Sequence, residues 1–195
     1  MNGYNFKDAK CDAQYLIPIL NILGDNLIGI ELGVGKGYST LSLVANCGNI
    51  EKMYAVDSFQ PYQDKLKNPY DNTPAYDVNK ADVEFDKLTF YHNLKYSGLK
   101  DRITVIENDK HTALNVFEND SFDFIFADAH HDYEDTITDI KEWYPKLKVG
   151  GIFAMHDTNN EMVKSAIKSF RKENNITNHI SDFDNTTLWI KTDGR

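Results

Sequence analysis

Three clusters in this 195-residue chain combine residue types and spacings that could do chemistry. The first is Glu31-Leu32-Gly33-Val34-Gly35-Lys36-Gly37-Tyr38-Ser39, with three glycines at alternate positions behind an acid. Glycine permits φ > 0 and lets a ligand approach the backbone with no Cβ in the way. The dinucleotide fingerprint G-x-G-x-x-G holds a pyrophosphate at a helix N-terminus. Here the spacing differs, and an acid enters the loop where a pyrophosphate wants neutral or positive surroundings. Glu31 instead suits a ligand carrying an ammonium group. Asp57 ends the next apolar run about 20 residues past the last glycine, roughly where an acid takes ribose hydroxyls. Ammonium plus ribose points to S-adenosylmethionine. It would lie against Gly33, Gly35, Gly37, Tyr38 and Ser39 on the loop, with Ser58 beside Asp57. The plainer alternative is that the glycines only shape a tight turn.

The other two clusters are Asp128-Ala129-His130-His131-Asp132-Tyr133-Glu134 and His156-Asp157-Thr158-Asn159-Asn160. Asp128, His156 and Asp157 form a candidate divalent-cation site. Carboxylates suit magnesium, calcium or manganese, and an imidazole widens the choice toward manganese, iron, nickel or zinc. A metal beside a hydroxyl lowers its pKa and orients it, as an oxygen nucleophile attacking a methyl group requires. Asp128 and His131 are the candidate catalytic residues, with His131 as general base because imidazole titrates near neutrality. Plainer roles stand beside these. An Asp after a strand often caps the next helix, a role open to Asp128, Asp132 and Asp157. His130 reads as a packing or supporting residue, and His92, His111 and His179 have no partner pattern. Trp143 and Trp189 read as core, and the run Asp132, Glu134, Asp135, Asp139 as a solvated helix face.

Positioning these clusters requires strands that alternate with helices. A helical segment within 1–26, with Ala13, Leu16, Ile17 and Leu20 on one face, precedes a strand at about 27–32. Further strands are expected at 53–56, 103–106, 122–127 and 152–155, and helices at 38–45, 77–96, 111–117, about 137–144 and 163–170. The 77–96 helix places Val78, Ala81, Phe85, Leu88 and Tyr91 at helical spacing. Segments 176–183 and 186–192 flank Asp184-Asn185, a hairpin signal. The pattern gives an α/β fold, a doubly wound, mostly parallel, Rossmann-like sheet with an antiparallel C-terminal hairpin strand. In such a sheet the strand exits share one edge, so the clusters would face each other. Residues 58–75, with Pro61, Pro69 and Pro74, lack a period and form a candidate lid loop.

The length fits a single domain over 1–195. A net charge of −9 disfavours nucleic-acid and anionic-membrane partners. Two cysteines, Cys11 and Cys47, make no disulfide framework, and no apolar run approaches a membrane span. A cytoplasmic protein acting on a small molecule, with homo-oligomerisation open, is expected.

At this point the motifs resemble a family. Glu31 to Ser39 resembles motif I of the class I S-adenosylmethionine-dependent methyltransferases. Phe122-Asp123-Phe124-Ile125-Phe126-Ala127-Asp128-Ala129-His130-His131-Asp132-Tyr133-Glu134 resembles the I-D-G-D-H-x-Y-E stretch of a subgroup akin to catechol, macrolide-sugar and cephalosporin-pathway methyltransferases. Leu147 to Thr158 resembles its L-K-P-G-G-x-x-x-x-H-D-T. The resemblance implies a seven-stranded sheet and methylation of a small-molecule hydroxyl, with magnesium or manganese as the candidate metal in the catechol manner. It places Glu31, Gly33 and Gly35 at the methionine end of the cofactor, Asp57 at the ribose, and Asn108, Asp109 and Lys110 at the adenine. Asp128 matches a metal carboxylate, and His131 the subgroup's histidine. His156 departs from the acid of the catechol type. Competing readings are a non-catalytic cofactor-binding protein, a metal-dependent hydrolase or oxygenase using the His/Asp cluster, a nucleic-acid amino-methyltransferase, and a dehydrogenase. For the amino-methyltransferase, Asn68-Pro69-Tyr70 lies in the wrong loop; for the dehydrogenase, the loop spacing is wrong.

Overall fold

A computed structural model describes residues 6–7, 10–63 and 77–192. Helix α1 (Leu16–Leu23) leads into β1 (Leu27–Leu32), and the glycine loop into α2 (Tyr38–Asn46). β2 (Ile50–Asp57) follows, then a two-residue ribbon, β3 (Tyr62–Gln63) against β4 (Asp77–Val78). Next come α3 (Lys80–Ser97), β5 (Ile103–Glu107), α4 (Lys110–Ala113), β6 (Phe122–Ala127) and α5 (Tyr133–Trp143). β7 (Leu147–Met155), α6 (Glu161–Glu173), β8 (Ile180–Phe183) and β9 (Thr186–Ile190) complete the chain. Seven strands form one sheet in the order β5-β2-β1-β6-β7-β9-β8. The first five are parallel, and β9 and β8 run antiparallel at the edge, as the alternation and the hairpin signal lead one to expect.

Some boundaries differ from the sequence reading, each for a local reason. β7 begins at Leu147, not Ile152, because Gly150-Gly151 do not turn the chain. They sit within the strand, where Gly150 N and Gly151 O bond to Lys191. α3 begins at Lys80, since the Asn79 side chain accepts the Ala81 and Asp82 amides as its cap. Residues 111–117 form only the short α4 and a 3₁₀ turn. The lid expectation falls largely on residues 64–75, and Asn68-Pro69-Tyr70 wholly there, outside the described residues.

The sheet buries apolar side chains on both faces. One face packs Leu16 and Leu20 of α1, Leu41 and Val44 of α2, and Phe90 and Leu94 of α3. The other packs Ile137, Ile140 and Trp143 of α5 with Val163, Ile167 and Phe170 of α6. Trp143 and Trp189 are core residues, as expected. No helix among the described residues is long and apolar enough to cross a membrane.

Candidate active site

β1 lies between β2 and β6, where the chain reverses its direction across the sheet and a ligand crevice is expected at the carboxyl ends. The register brings those ends level, with Glu31 paired to Ala55 and Phe126, and Ala127 to Met155. Hydrogen bonds continue the ladders one residue further. Gly33 donates to Val56 O (2.9 Å), Asp128 to Leu32 O (2.8 Å) and His156 to Ala127 O (3.0 Å). The glycine loop, Asp57, Asp128 and His156 are therefore fixed to one edge by backbone alone.

The glycines have different duties. At Gly33 φ is +84°, and a Cβ would stand 2.1 Å from the Asp128 carbonyl oxygen, so only glycine lets the loop lie across the β6 exit. Gly37, at φ +77° in the N-cap position of α2, faces protein: its Cβ would meet the Phe90 ring at 2.2 Å. The sequence placed Gly37 with the ligand-facing residues, yet it is absent from the cleft lining, unlike Gly33, Gly35, Tyr38 and Ser39. Chain geometry thus accounts for Gly33 and Gly37, whereas a Cβ on Gly35 would meet nothing within 4 Å and Gly35 lines the cleft.

The cleft holds about 400 Å³. Glu31 points into it from β1 at 1% exposure, and among the described residues its carboxylate has only the Thr40 hydroxyl as hydrogen-bond donor. Burial pushes its pKa well above the carboxylate range; Thr40 opposes the shift, while Asp128, Asp12 and Asp57 add repulsion. Among the described residues no cationic side chain pairs with Glu31 itself. Asp57 Oδ2 accepts the Val34 (2.8 Å) and Gly35 (3.0 Å) amides, and Oδ1 accepts Phe59 N–H (2.7 Å), leaving roughly one of its four acceptor positions for a ligand hydroxyl. Ser58, Asn108, Asp109 and Lys110 also line the cleft, as does the start of the expected lid through Phe59, Gln60 and Tyr62.

The His/Asp cluster forms on the far wall. His156 Nδ1 lies 3.2 Å from Asp128 Oδ1 and 3.3 Å from Asp157 Oδ2, and His131 Nε2 lies 2.6 Å from Asp157 Oδ2. Burial works against a charged His156, but the hydrogen bonds and charges of Asp128 and Asp157 prevail and raise its pKa to about 10. Burial likewise opposes ionisation of Asp157, yet both imidazoles together hold it far below the carboxylate range. Asp128 goes the other way, raised by burial despite His156. Of the three acids that could cap helices, only Asp132 does so, accepting the Asp135 amide at 2.9 Å in front of α5; Asn160 caps α6. Asp157 instead adopts φ +54°, a left-handed backbone that turns its carboxylate into the cluster.

Three participants escaped the sequence reading. Asp12 reaches His156 Nε2 at 3.5 Å from the N-terminal segment. Asn185, legible only as a hairpin residue, donates from Nδ2 to Asp157 Oδ1 at 2.9 Å. Asp139 is no solvated acid: at 1% exposure it pairs with Lys110 (3.0 Å). Lys110 also stands 2.9 Å from His130 Nδ1. An ammonium only donates, so Nδ1 must accept, and His130 carries its proton on Nε2. Burial and then the Lys110 charge keep that ring below its usual pKa. His111, given no role from sequence, pairs with Glu142.

The donor types fit a divalent cation. Asp128, His131 and Asp157 offer ligand atoms within 4.8 Å of one another, as do Asp12, Asp128 and His156. The two groups share Asp128, and neither joins His156 to Asp157, which His156 instead meets as an ion pair.

A family model described as a methyltransferase domain matches residues 30–158. A sequence search of curated proteins finds no match. Among solved structures, the chain is similar to the O-methyltransferase NovP, with TM-score 0.67 and 18% identity over 92% of this chain and 79% of that one. It is similar to an O-methyltransferase from Bacillus cereus in complex with SAH (TM-score 0.61, 15% identity, 93% and 81% covered). It is also similar to TomG from Streptomyces achromogenes, an O-methyltransferase in complex with SAM (TM-score 0.65, 11% identity, 95% and 82% covered). At these identities the likeness is one of fold.

Proposed function

Since the chain belongs to this methyltransferase-domain family and has the fold of the class I S-adenosylmethionine-dependent enzymes, we propose that it moves a methyl group from S-adenosylmethionine to a hydroxyl of a small molecule. The observation that carries the cofactor is Glu31, a buried carboxylate lining the cleft whose one hydrogen-bond donor among the described residues is the neutral Thr40 hydroxyl. S-adenosylmethionine brings an ammonium and a sulfonium to this ring of acids. In the proposed pose the ammonium meets Glu31, the ribose meets Asp57, and Asn108 to Lys110 border the adenine. The SAM- and SAH-bound neighbours support the same choice.

Transfer to an oxygen nucleophile needs alignment and a proton acceptor. His131 is the base: Asp157 at 2.6 Å orients its imidazole and stabilises the imidazolium that forms, and Asn185 holds Asp157 from behind. Asp128 faces the same space from the β6 exit and aligns the hydroxyl. Asp128 and Asp157, with the His156 imidazole, would hold a divalent cation, whose chemistry is to lower the hydroxyl's pKa. The acceptor is a sugar, natural product or catechol-like molecule, by the size of the cleft and the O-methyltransferase neighbours. Nucleic acid is disfavoured by a net charge of −9.

The decisive variants are Asp128→Ala and Asp157→Ala. Each is expected to lower turnover at least about a hundred-fold while leaving the S-adenosylhomocysteine dissociation constant within about two-fold. Normal turnover in both would remove the His/Asp cluster from the reaction.

A further inference from the structure

Helix α3 is apolar on two faces. Val83, Phe90 and Leu94 face the sheet, buried. On the opposite side Ala81, Phe85, Leu88, His92 and Tyr96 are exposed, spaced four, three, four and four residues apart, which is one continuous helical stripe. The sequence periodicity through Ala81, Phe85 and Leu88 would ordinarily mark a core face, but the structure turns this one outward. Phe85 is 61% exposed, Leu88 64% and Tyr96 55%. These are three of the eight exposed large apolar side chains among the described residues, gathered on a single helix. A surface helix normally carries polar residues there, and an apolar patch of this kind marks an interaction site.

Charge indicates what covers it. The first half of α3 carries Asp82, Glu84 and Asp86 with Lys80 and Lys87; Asp86 pairs with Lys36 and Lys87 with Glu107, and among the described residues Glu84 has no ion partner. The second half, from Thr89 to Ser97, contains Lys95 and no acid. Two copies of α3 packed antiparallel about a two-fold axis near residue 90 set Leu88 against His92 of the second copy. The same axis sets Phe85 and Glu84 against Tyr96 and Lys95 of that copy. Glu84 of each copy then meets Lys95 of the other, and the arrangement is self-complementary, as an isologous interface must be. We infer that the outer stripe of α3 is the interface of a two-fold dimer of this chain. Val83 and Asp86 on other faces of the same helix line the cleft, so dimerisation buttresses the wall behind the cofactor loop.

The test is the molar mass of the full chain by sedimentation velocity across concentrations on the order of 1 to 100 µM. A reversible dimer is expected. Leu88→Glu should weaken it about ten-fold or more, and at concentrations where both proteins are monomeric it should leave Tm unchanged, because Leu88 has no core contact to lose. Glu84→Lys and Lys95→Glu should each weaken it, and the double variant should restore it. A wild-type monomer throughout, a dimer indifferent to Leu88→Glu, or a double charge exchange that fails to restore association would each overturn the inference. So would a monomer in which Leu88→Glu lowers Tm, since another part of the same chain would then cover the stripe.

Discussion

Glu31 is the residue on which chemistry and stability conflict most sharply. Its folded-state pKa lies above its unfolded one, so the fold favours the protonated acid, and stability declines as pH rises from the unfolded value through the folded one. Glu31→Gln keeps an acceptor for the Thr40 hydroxyl and removes the charge. The apo variant should be more stable by about 1–2 kcal/mol at pH 8, with the gain vanishing near pH 4. Its affinity for S-adenosylhomocysteine should fall about ten-fold or more, because the ligand's ammonium loses its counter-charge. Thermal melts with and without ligand at both pH values measure this; an apo protein less stable than wild type at pH 8 would contradict it. His156 is equally specific. Its position between Asp128 and Asp157 makes the cluster a test of metal assistance: dialysis against a chelator should lower turnover, and manganese should restore it better than magnesium because one donor is nitrogen. Turnover unchanged by chelation would leave proton removal to His131 alone.

At the scale of elements, the site exists because five parallel strands end level and the backbone continues past them. Gly37 shows how little slack this leaves. An alanine there would place its Cβ 2.2 Å from Phe90 with φ at +77°, costing about 2–4 kcal/mol in strain and overpacking. A Tm drop of roughly 5–15 °C is expected, with cofactor affinity altered only through displacement of α2. A wild-type Tm would mean that the loop and α3 are not packed as described. Much of this was legible in the sequence. Alternating apolar runs and turns give the strand order's ingredients; Asp57 and Asp128 announce themselves by directly following an apolar run, Asp157 by lying one residue past another, and Glu31 as the one charge inside the first. What period and spacing cannot show is contact at long separation. Asp12 meets His156 across the chain, Asn185 reaches Asp157 from a hairpin turn, and Asp139 leaves the solvated face because Lys110 comes from another strand exit to meet it. The outward stripe of α3 is a related case, since apolar periodicity identifies a face but not the direction it points.

For the molecule as a whole, fold and family come from independent grounds: the sheet order on one side, a methyltransferase-domain match over residues 30–158 on the other. The proposed substrate-side chemistry rests on the His/Asp cluster and the cofactor-side chemistry on the glycine loop with Glu31 and Asp57, at the same sheet edge. The proposed function joins them through an ammonium-bearing sulfur nucleoside in the cleft, and isothermal titration calorimetry tests that most directly. S-adenosylhomocysteine should bind the wild-type chain at one site with micromolar affinity, nicotinamide dinucleotides should give no heat, and Asp57→Ala should weaken the binding about ten-fold or more. Heat with a nicotinamide dinucleotide and none with S-adenosylhomocysteine would contradict the assignment of the glycine loop and of everything placed around it.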